Sequence, residues 1–279
     1  MLTADVRLLG DAERAAVERV LDRAPFAAAP VAEQVAAHGL EWWRAEARVF
    51  GYGPRRQLES VCWLGANVIP VEATPPAVMA FADLAAINPR QCSSIVGPAD
   101  AVLGFWDRIA PVWGSAREVR ACQPLLAVDA PPAVQADPAV RLVRPDEINV
   151  LFPAAVAMYT EEVGVSPLAD RGEHRYRQRI ADLVHARRAY ARFIDGRVAF
   201  KAELAVVTKH TAQVQGVWVD PAYRGRGLAV TGMAAVVRDA LRRVAPTVSL
   251  YVNDFNEPAR RAYARTGFRE VGTFATVLF

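Results

Sequence analysis

Lysine is almost missing from this 279-residue chain: of 33 basic residues only Lys201 and Lys209 are lysines, and arginine supplies the rest. With abundant alanine, that bias suggests a GC-rich bacterial genome and says little about function. Cysteine is scarce too. Cys62, Cys92 and Cys122 stand far apart, in odd number and without a Cys-x-x-Cys pair, which excludes a disulfide framework and predicts buried, reduced thiols. His38, His174, His185 and His210 show no ligand-like spacing, so no metal site is expected, and His210, between two strand patterns, reads as a structural or solvated turn residue. No uncharged run reaches the eighteen or so residues that suggest a membrane span. Asp5, Asp11 and Glu13 replace the basic-then-apolar pattern of a targeting segment, so the expected location is cytoplasmic, with no membrane association. A net charge of +3 without a basic tract interleaved with aromatics excludes a nucleic-acid partner.

What remains is a globular composition, 53% apolar and 23% charged, at a length that suits two modest domains. The stretch Asp129–Pro138 is proline-rich and aperiodic and reads as a linker, which divides the chain into 1–128, a linker over 129–139, and 140–279. Alternation and helical spacing after it predict a strand near 140–144, helices over 147–162 and 173–186, strands over 188–194, 197–208 and 211–219, a helix over 227–243, a strand over 247–253, a helix over 257–266 and a strand over 268–278. The first half repeats that order. It has a strand near 5–9, helices near 11–23 and 30–38, strands near 46–52, 57–64 and 66–71, a helix near 77–88, a strand near 92–96, a helix near 99–112 and a strand near 117–127. The expected fold class is therefore α/β with a mixed sheet, built twice in tandem.

The richest segment is Asp220-Pro-Ala-Tyr-Arg-Gly-Arg-Gly-Leu-Ala229. It follows the strand ending at Val217, Trp218 and Val219 and opens the helix that begins at Leu228 and Ala229. Gly225 and Gly227 let the backbone approach an anion closely. The helix start offers unpaired N–H groups and the positive end of its dipole, and Arg224 and Arg226 add charge. A pyrophosphate suits this loop. Glycine turns before helices are common, and the loop is neither a P-loop nor a Gly-x-Gly-x-x-Gly fingerprint, which argues against an ATP or NAD enzyme. In the first half the corresponding segment, Pro70-Val-Glu-Ala-Thr-Pro-Pro76, has no glycine, no arginine and one acid, so it is not expected to hold a pyrophosphate.

Arg224-x-x-Gly227-x-Ala229 resembles the Gln/Arg-x-x-Gly-x-Gly/Ala motif of the GCN5-related N-acetyltransferases (GNAT superfamily). Asn256-x-x-Ala259-x-x-x-Tyr263-x-x-x-Gly267-Phe268 is similar to that family's second cofactor segment. The resemblance covers about residues 138–279, and the whole chain resembles a two-domain actinobacterial group with a poorly characterised N-terminal domain. It implies two tandem GNAT-like domains, the first degenerate, and acetyl-CoA as acyl donor without a metal.

The resemblance also implies roles. The strand from Thr211 to Val219, with Gly216 as a bulge, would flank the pantetheine arm, Val217, Trp218 and Val219 binding the cofactor and a backbone N–H near Val217 or Trp218 holding the thioester oxygen. Arg224 to Ala229 would hold the pyrophosphate, and Asn253 and Asn256 would pair with pantetheine amides. Tyr263 would protonate the departing thiolate; alternatively it is a half-buried helix tyrosine. The general base is open, because the strand before the loop carries Gln213 and Gln215 where many relatives have a glutamate. Glu161 and Glu162 are the main candidates, or else a solvated helix end, and Glu203 is a further one. Those acids would favour a cationic amine acceptor on a small molecule or a protein. The alternative to an enzyme is a non-catalytic acyl-CoA sensor or a partner-docking module. Trp42 and Trp43 are expected in the core or a domain interface rather than in a ligand cleft.

Overall fold

The computed structural model describes residues 6–54, 57–169 and 172–279. The expectations involving Asp5 lie outside them. Two compact units emerge, one of Met1–Leu126, Tyr251–Phe255 and Glu270–Phe279, the other of Ala127–Leu250 and Asn256–Arg269. The chain thus returns to the first unit twice after leaving it.

The first unit contains β1 (Val6–Leu8), α1 (Arg14–Arg23), α2 (Ala29–His38), α3 (Trp42–Ala45), β2 (Arg48–Tyr52), β3 (Ser60–Leu64), β4 (Asn67–Val71), α4 (Pro75–Ala85), β5 (Ser94–Pro98), α5 (Ala99–Trp113) and β6 (Glu118–Val128, its end reaching the other unit). β1 to β4 form an antiparallel meander, and β5 pairs parallel with β4. α4 and α5 bury Phe81, Phe105 and Ile109 with Ile95 and Val277. After β4 the chain enters α4 through Pro75 and Pro76, which supply no N–H at the helix start, while Glu72 accepts from Arg23 Nε at 3.1 Å.

The strand order of this unit runs β1-β2-β3-β4-β5, then β12 (Arg269–Leu278), then β6. β12 lies antiparallel to β5, from Phe274 opposite Pro98 to Leu278 opposite Ser94. Residues 251–255 also run beside β6, where the N–H groups of Val252 and Asp254 donate to the carbonyls of Pro124 and Cys122. Two expectations fail here. Trp42 and Trp43 are 56% and 59% exposed, because α3 is one surface turn whose rings meet mainly each other, edge to face at 6.0 Å. Cys62 and Cys92 are buried, but Cys122 is exposed.

The second unit runs β7 (Arg141–Leu142), α6 (Ile148–Val163), α7 (Glu173–His185), β8 (Ala189–Ile194), β9 (Arg197–Val207), β10 (Ala212–Val219), α8 (Leu228–Arg243), β11 (Val248–Tyr251) and α9 (Glu257–Arg265). The order β-α-α-β-β-β-α-β-α-β occurs in both halves of the sequence, with α3 as an extra turn in the first. β7 to β10 are antiparallel neighbours, and β11 joins β10 in parallel. Residues 129–139 are not a free tether. Asp137 is buried, accepts from Arg192 and donates its N–H to Thr231 O, and Arg238 holds the carbonyls of Pro132 and Val134.

α8 buries Val230, Met233, Ala234, Val236, Val237 and Ala240, the spacing of one helix face. Each large side chain so buried contributes about 1.5–3 kcal/mol. A Cβ at Gly232 would lie 2.8 Å from the Phe200 ring, so a glycine lets this helix settle directly onto β9.

Candidate active site

Val219 ends β10, and the chain turns through Asp220, whose carboxylate accepts from Ala222 N at 2.9 Å, before reaching Arg224. Gly225 and Gly227 then take φ values of +75° and +79°, the left-handed region that a side chain disfavours. A Cβ built on either would meet nothing within 4 Å, so the space beside both residues is open. Gly227 is the N-cap of α8; Val230 N–H turns back to Gly227 O at 3.0 Å, and the N–H groups of Leu228 and Ala229 have no carbonyl one turn earlier in the helix to bond. The result is a concave strip of backbone donors at the positive end of a sixteen-residue helix. These residues fit a pyrophosphate.

The arginines of the loop are held differently. Arg224 donates from Nε to Val219 O at 3.0 Å and from Nη2 to both carboxylate oxygens of Glu161, at 2.8 and 2.7 Å. Arg226 lies over the Tyr223 ring, 5.6 Å from its centre. Glu161, in the last turn of α6, also accepts from Trp218 Nε1 at 3.2 Å. It therefore ties together α6, β10 and the loop, and its charge is largely answered by Arg224.

β10 is irregular next to this loop. It pairs in parallel with β11 at Ala212–Val248 and Gln213–Ser249, and the two strands have no further register pair among the described residues. Against β9 the register runs Gln215–Glu203 and then Trp218–Lys201, so Gly216 and Val217 are skipped. Gly216 has φ +59°. A Cβ there would lie 2.8 Å from Lys201 Nζ and 3.0 Å from the Glu203 carboxyl carbon, so a side chain would displace those head groups as well as strain the backbone. The expected bulge is present, and the strand diverges from β11 beside it.

Beneath the bulge lies a charge cluster of which sequence reasoning named only Glu203, as a candidate base, and not its partners. Lys201 is 1% and Glu203 2% exposed. Lys201 Nζ donates to Gly216 O at 2.8 Å and reaches Glu203 Oε2 at 3.3 Å, and Arg179 Nη2 of α7 donates to Glu203 Oε1 at 2.7 Å. Burial alone would raise the Glu203 carboxyl, but the Lys201 and Arg179 charges outweigh it and hold it below its ordinary value. Burial pulls the Lys201 ammonium down despite Glu203. Two basic groups thus engage Glu203. One signal was available: Lys201 is one of two lysines in an arginine-rich chain, set inside an apolar strand.

Tyr263, on α9, is buried and its ring packs edge-on against Phe268. Burial raises its phenol well above the ordinary tyrosine value, and the Glu162 charge adds to the push, so the hydroxyl keeps its proton at neutral pH. Asn256 caps α9, its side-chain oxygen accepting from Ala259 N at 3.2 Å. Asn253 belongs to the first unit, where its Oδ1 accepts from Gln123 Nε2 at 2.8 Å. Gln213 is fully buried and neither of its amide atoms has a protein partner. No group of three His, Cys, Asp or Glu residues able to hold a metal occurs among the described residues. No described helix is long and apolar enough to cross a membrane.

Residues 154–268 match the family described as "Acetyltransferase (GNAT) family", a stretch that contains Glu161, the bulge, the loop and Tyr263. Over that stretch the chain carries a GNAT acetyltransferase domain. Residues 47–151, ahead of the GNAT match, fit a domain of unknown function, DUF4081. Among solved structures, a GNAT acetyltransferase from Colwellia psychrerythraea aligns over 98% of this chain and 99% of its own at 12% identity (TM-score 0.56). A Drosophila protein aligns over 99% of both chains at 15% identity (TM-score 0.68). A tandem GNAT protein from the clavulanic acid biosynthesis pathway aligns over 98% of both chains at 14% identity (TM-score 0.52). At these identities the likeness is one of fold, and it extends over both halves of the chain. No curated protein matches.

Proposed function

We propose that the second unit transfers an acetyl group from acetyl-CoA directly to an amine, with no covalent enzyme intermediate. The observation that carries this reading is the open, left-handed Gly225–Gly227 loop at the start of α8, set directly after the bulge of β10. The loop and Arg224 would hold the pyrophosphate, and the gap where β10 leaves β11 would take the pantetheine arm. An amine nitrogen attacks the acetyl carbonyl, a backbone N–H at the bulge receives the developing oxyanion, and the C–S bond breaks. The Tyr263 hydroxyl then supplies a proton to the thiolate.

Glu161 is committed to Arg224 and Trp218, which counts against it as the general base; the other candidate of the pair is Glu162, whose charge acts on the Tyr263 hydroxyl. A neutral amine arriving at the site would dispense with a base altogether. The preference for a cationic acceptor, a small amine or a protein amine, rests on Glu162 rather than on both acids.

A second reading, an acyl-CoA sensor without turnover, is favoured by one observation. The carboxylate opposite Gln215 is Glu203, and it is engaged by Lys201 and Arg179. Calorimetry with acetyl-CoA, followed by detection of free CoA thiol across a panel of amines, separates the two. Binding with amine-dependent thiol release supports the enzyme, binding without release supports the sensor, and absence of binding refutes both.

A further inference from the structure

The peptide between Gly216 and Val217 is held from one side by a buried ammonium. Lys201 Nζ lies 2.8 Å from Gly216 O at the point where β10 skips its register with β9. In a regular antiparallel strand that carbonyl would meet a backbone N–H; here a side chain takes that role. A trans peptide is planar and points its C=O and its N–H in opposite directions. No cis peptide occurs among the described residues. Anchoring Gly216 O on Lys201 therefore aims the Val217 N–H away from Lys201.

We infer that Lys201 is a positioning residue that orients the Val217 N–H as the donor to the acetyl carbonyl, with Glu203 and Arg179 keeping Lys201 in place. The inference rests on the proposed acetyl transfer and selects Val217 over Trp218 as the donor. Three features support it. Gly216 carries no side chain where one would strike Lys201 Nζ, and its φ of +59° turns the peptide out of the strand. Lys201 is bracketed by its two acceptors, Gly216 O and Glu203 Oε2, so its head group has one place to sit. Arg179 secures the far oxygen of Glu203, which fixes the carboxylate that holds Lys201. An ammonium is a compact charge on a flexible stem, unlike a planar guanidinium, and suits one carbonyl and one carboxylate oxygen. Lys201 is one of only two lysines in a chain whose other basic residues are arginines.

The test is infrared spectroscopy of carbonyl-labelled acetyl-CoA bound to the full-length protein, which reads polarisation of the thioester without needing an acceptor. In the wild type the bound carbonyl band should fall below that of free acetyl-CoA. Lys201→Met should lose at least half of that shift, with the dissociation constant of CoA changed by less than about threefold. Because Lys201→Met leaves a buried carboxylate short of a partner, the double variant K201M/E203Q is the companion. Replacing both members of a buried pair is commonly tolerated, so its melting temperature should recover towards wild type. Its carbonyl shift should stay lost. A shift retained in Lys201→Met, or restored in the double variant, would reduce Lys201 to a charge partner of Glu203 and overturn the inference alone. A wild type that does not bind acetyl-CoA would overturn the proposed function together with it.

Discussion

Arg224 offers the sharpest test of the cofactor loop, because it is already paired. Its Nη2 sits 2.7–2.8 Å from both oxygens of Glu161, yet the two side chains are 46% and 53% exposed. An ion pair so open to water contributes less than about 1 kcal/mol. Arg224→Gln should accordingly leave the melting temperature of the free protein almost unchanged. A charge-assisted bond to a pyrophosphate is worth about 1.5–3 kcal/mol, so the same substitution should weaken CoA about ten- to hundredfold. Acetyl-pantetheine carries no pyrophosphate and should bind wild type and Arg224→Gln equally. Glu161→Gln releases Arg224 from its competitor, so CoA should bind it as tightly as wild type or up to about fivefold more tightly. Isothermal titration of both ligands against the three proteins decides the matter. If Arg224→Gln weakens both ligands alike, the residue supports the fold and does not read the phosphates. If Glu161→Gln weakens CoA as much as Arg224→Gln does, the intact pair is what the ligand requires, and the competition argument is wrong.

Tyr263→Phe should lower kcat about a hundredfold while leaving KM for acetyl-CoA within about twofold, since the lost group acts on the leaving thiolate; an unchanged kcat would leave Tyr263 as a packing partner of Phe268. Gly232→Ala places a methyl against the Phe200 ring and should cost about 1–3 kcal/mol, read as a fall of several degrees in melting temperature; an unaltered melting curve would show that α8 can lift from β9 without penalty. Glu203 has a carboxyl held below its ordinary value of 4.5, so its contribution to stability is present above that pH and fades as the pH falls beneath it. The gap in melting temperature between wild type and Glu203→Gln should therefore narrow as the pH is taken below 4.5, and a gap that stays constant would refute the ionised, paired state.

The elements of the second half were legible because their signals are local. The strand, loop and helix around Arg224 follow from apolar periodicity and two glycines, and α8 begins at Leu228, within one residue of expectation. The bulge at Gly216 was equally readable, since a lone glycine in a strand has few other uses. The buried cluster was not. Lys201, Glu203 and Arg179 come from a strand and a helix, and only the tertiary fold brings them to one carbonyl. Glu161 was recognised as a site residue but not as a partner of Arg224, because 63 positions separate them. Trp42 and Trp43 misled for the opposite reason. Their size argues for burial, but a single-turn helix has no second row of side chains with which to cover them.

The placement of β12 has a consequence for how the chain is made. The first unit needs residues 270–279 to flank β5, and residues 251–255 to run beside β6. A ribosome releases its first 126 residues long before those segments exist, so the nascent first unit must wait with the edge of β5 uncovered. Unpaired edges of this kind invite non-native strand pairing. The halves of this protein are consecutive in the gene but not in time: the half that is synthesised first is the one that is completed last.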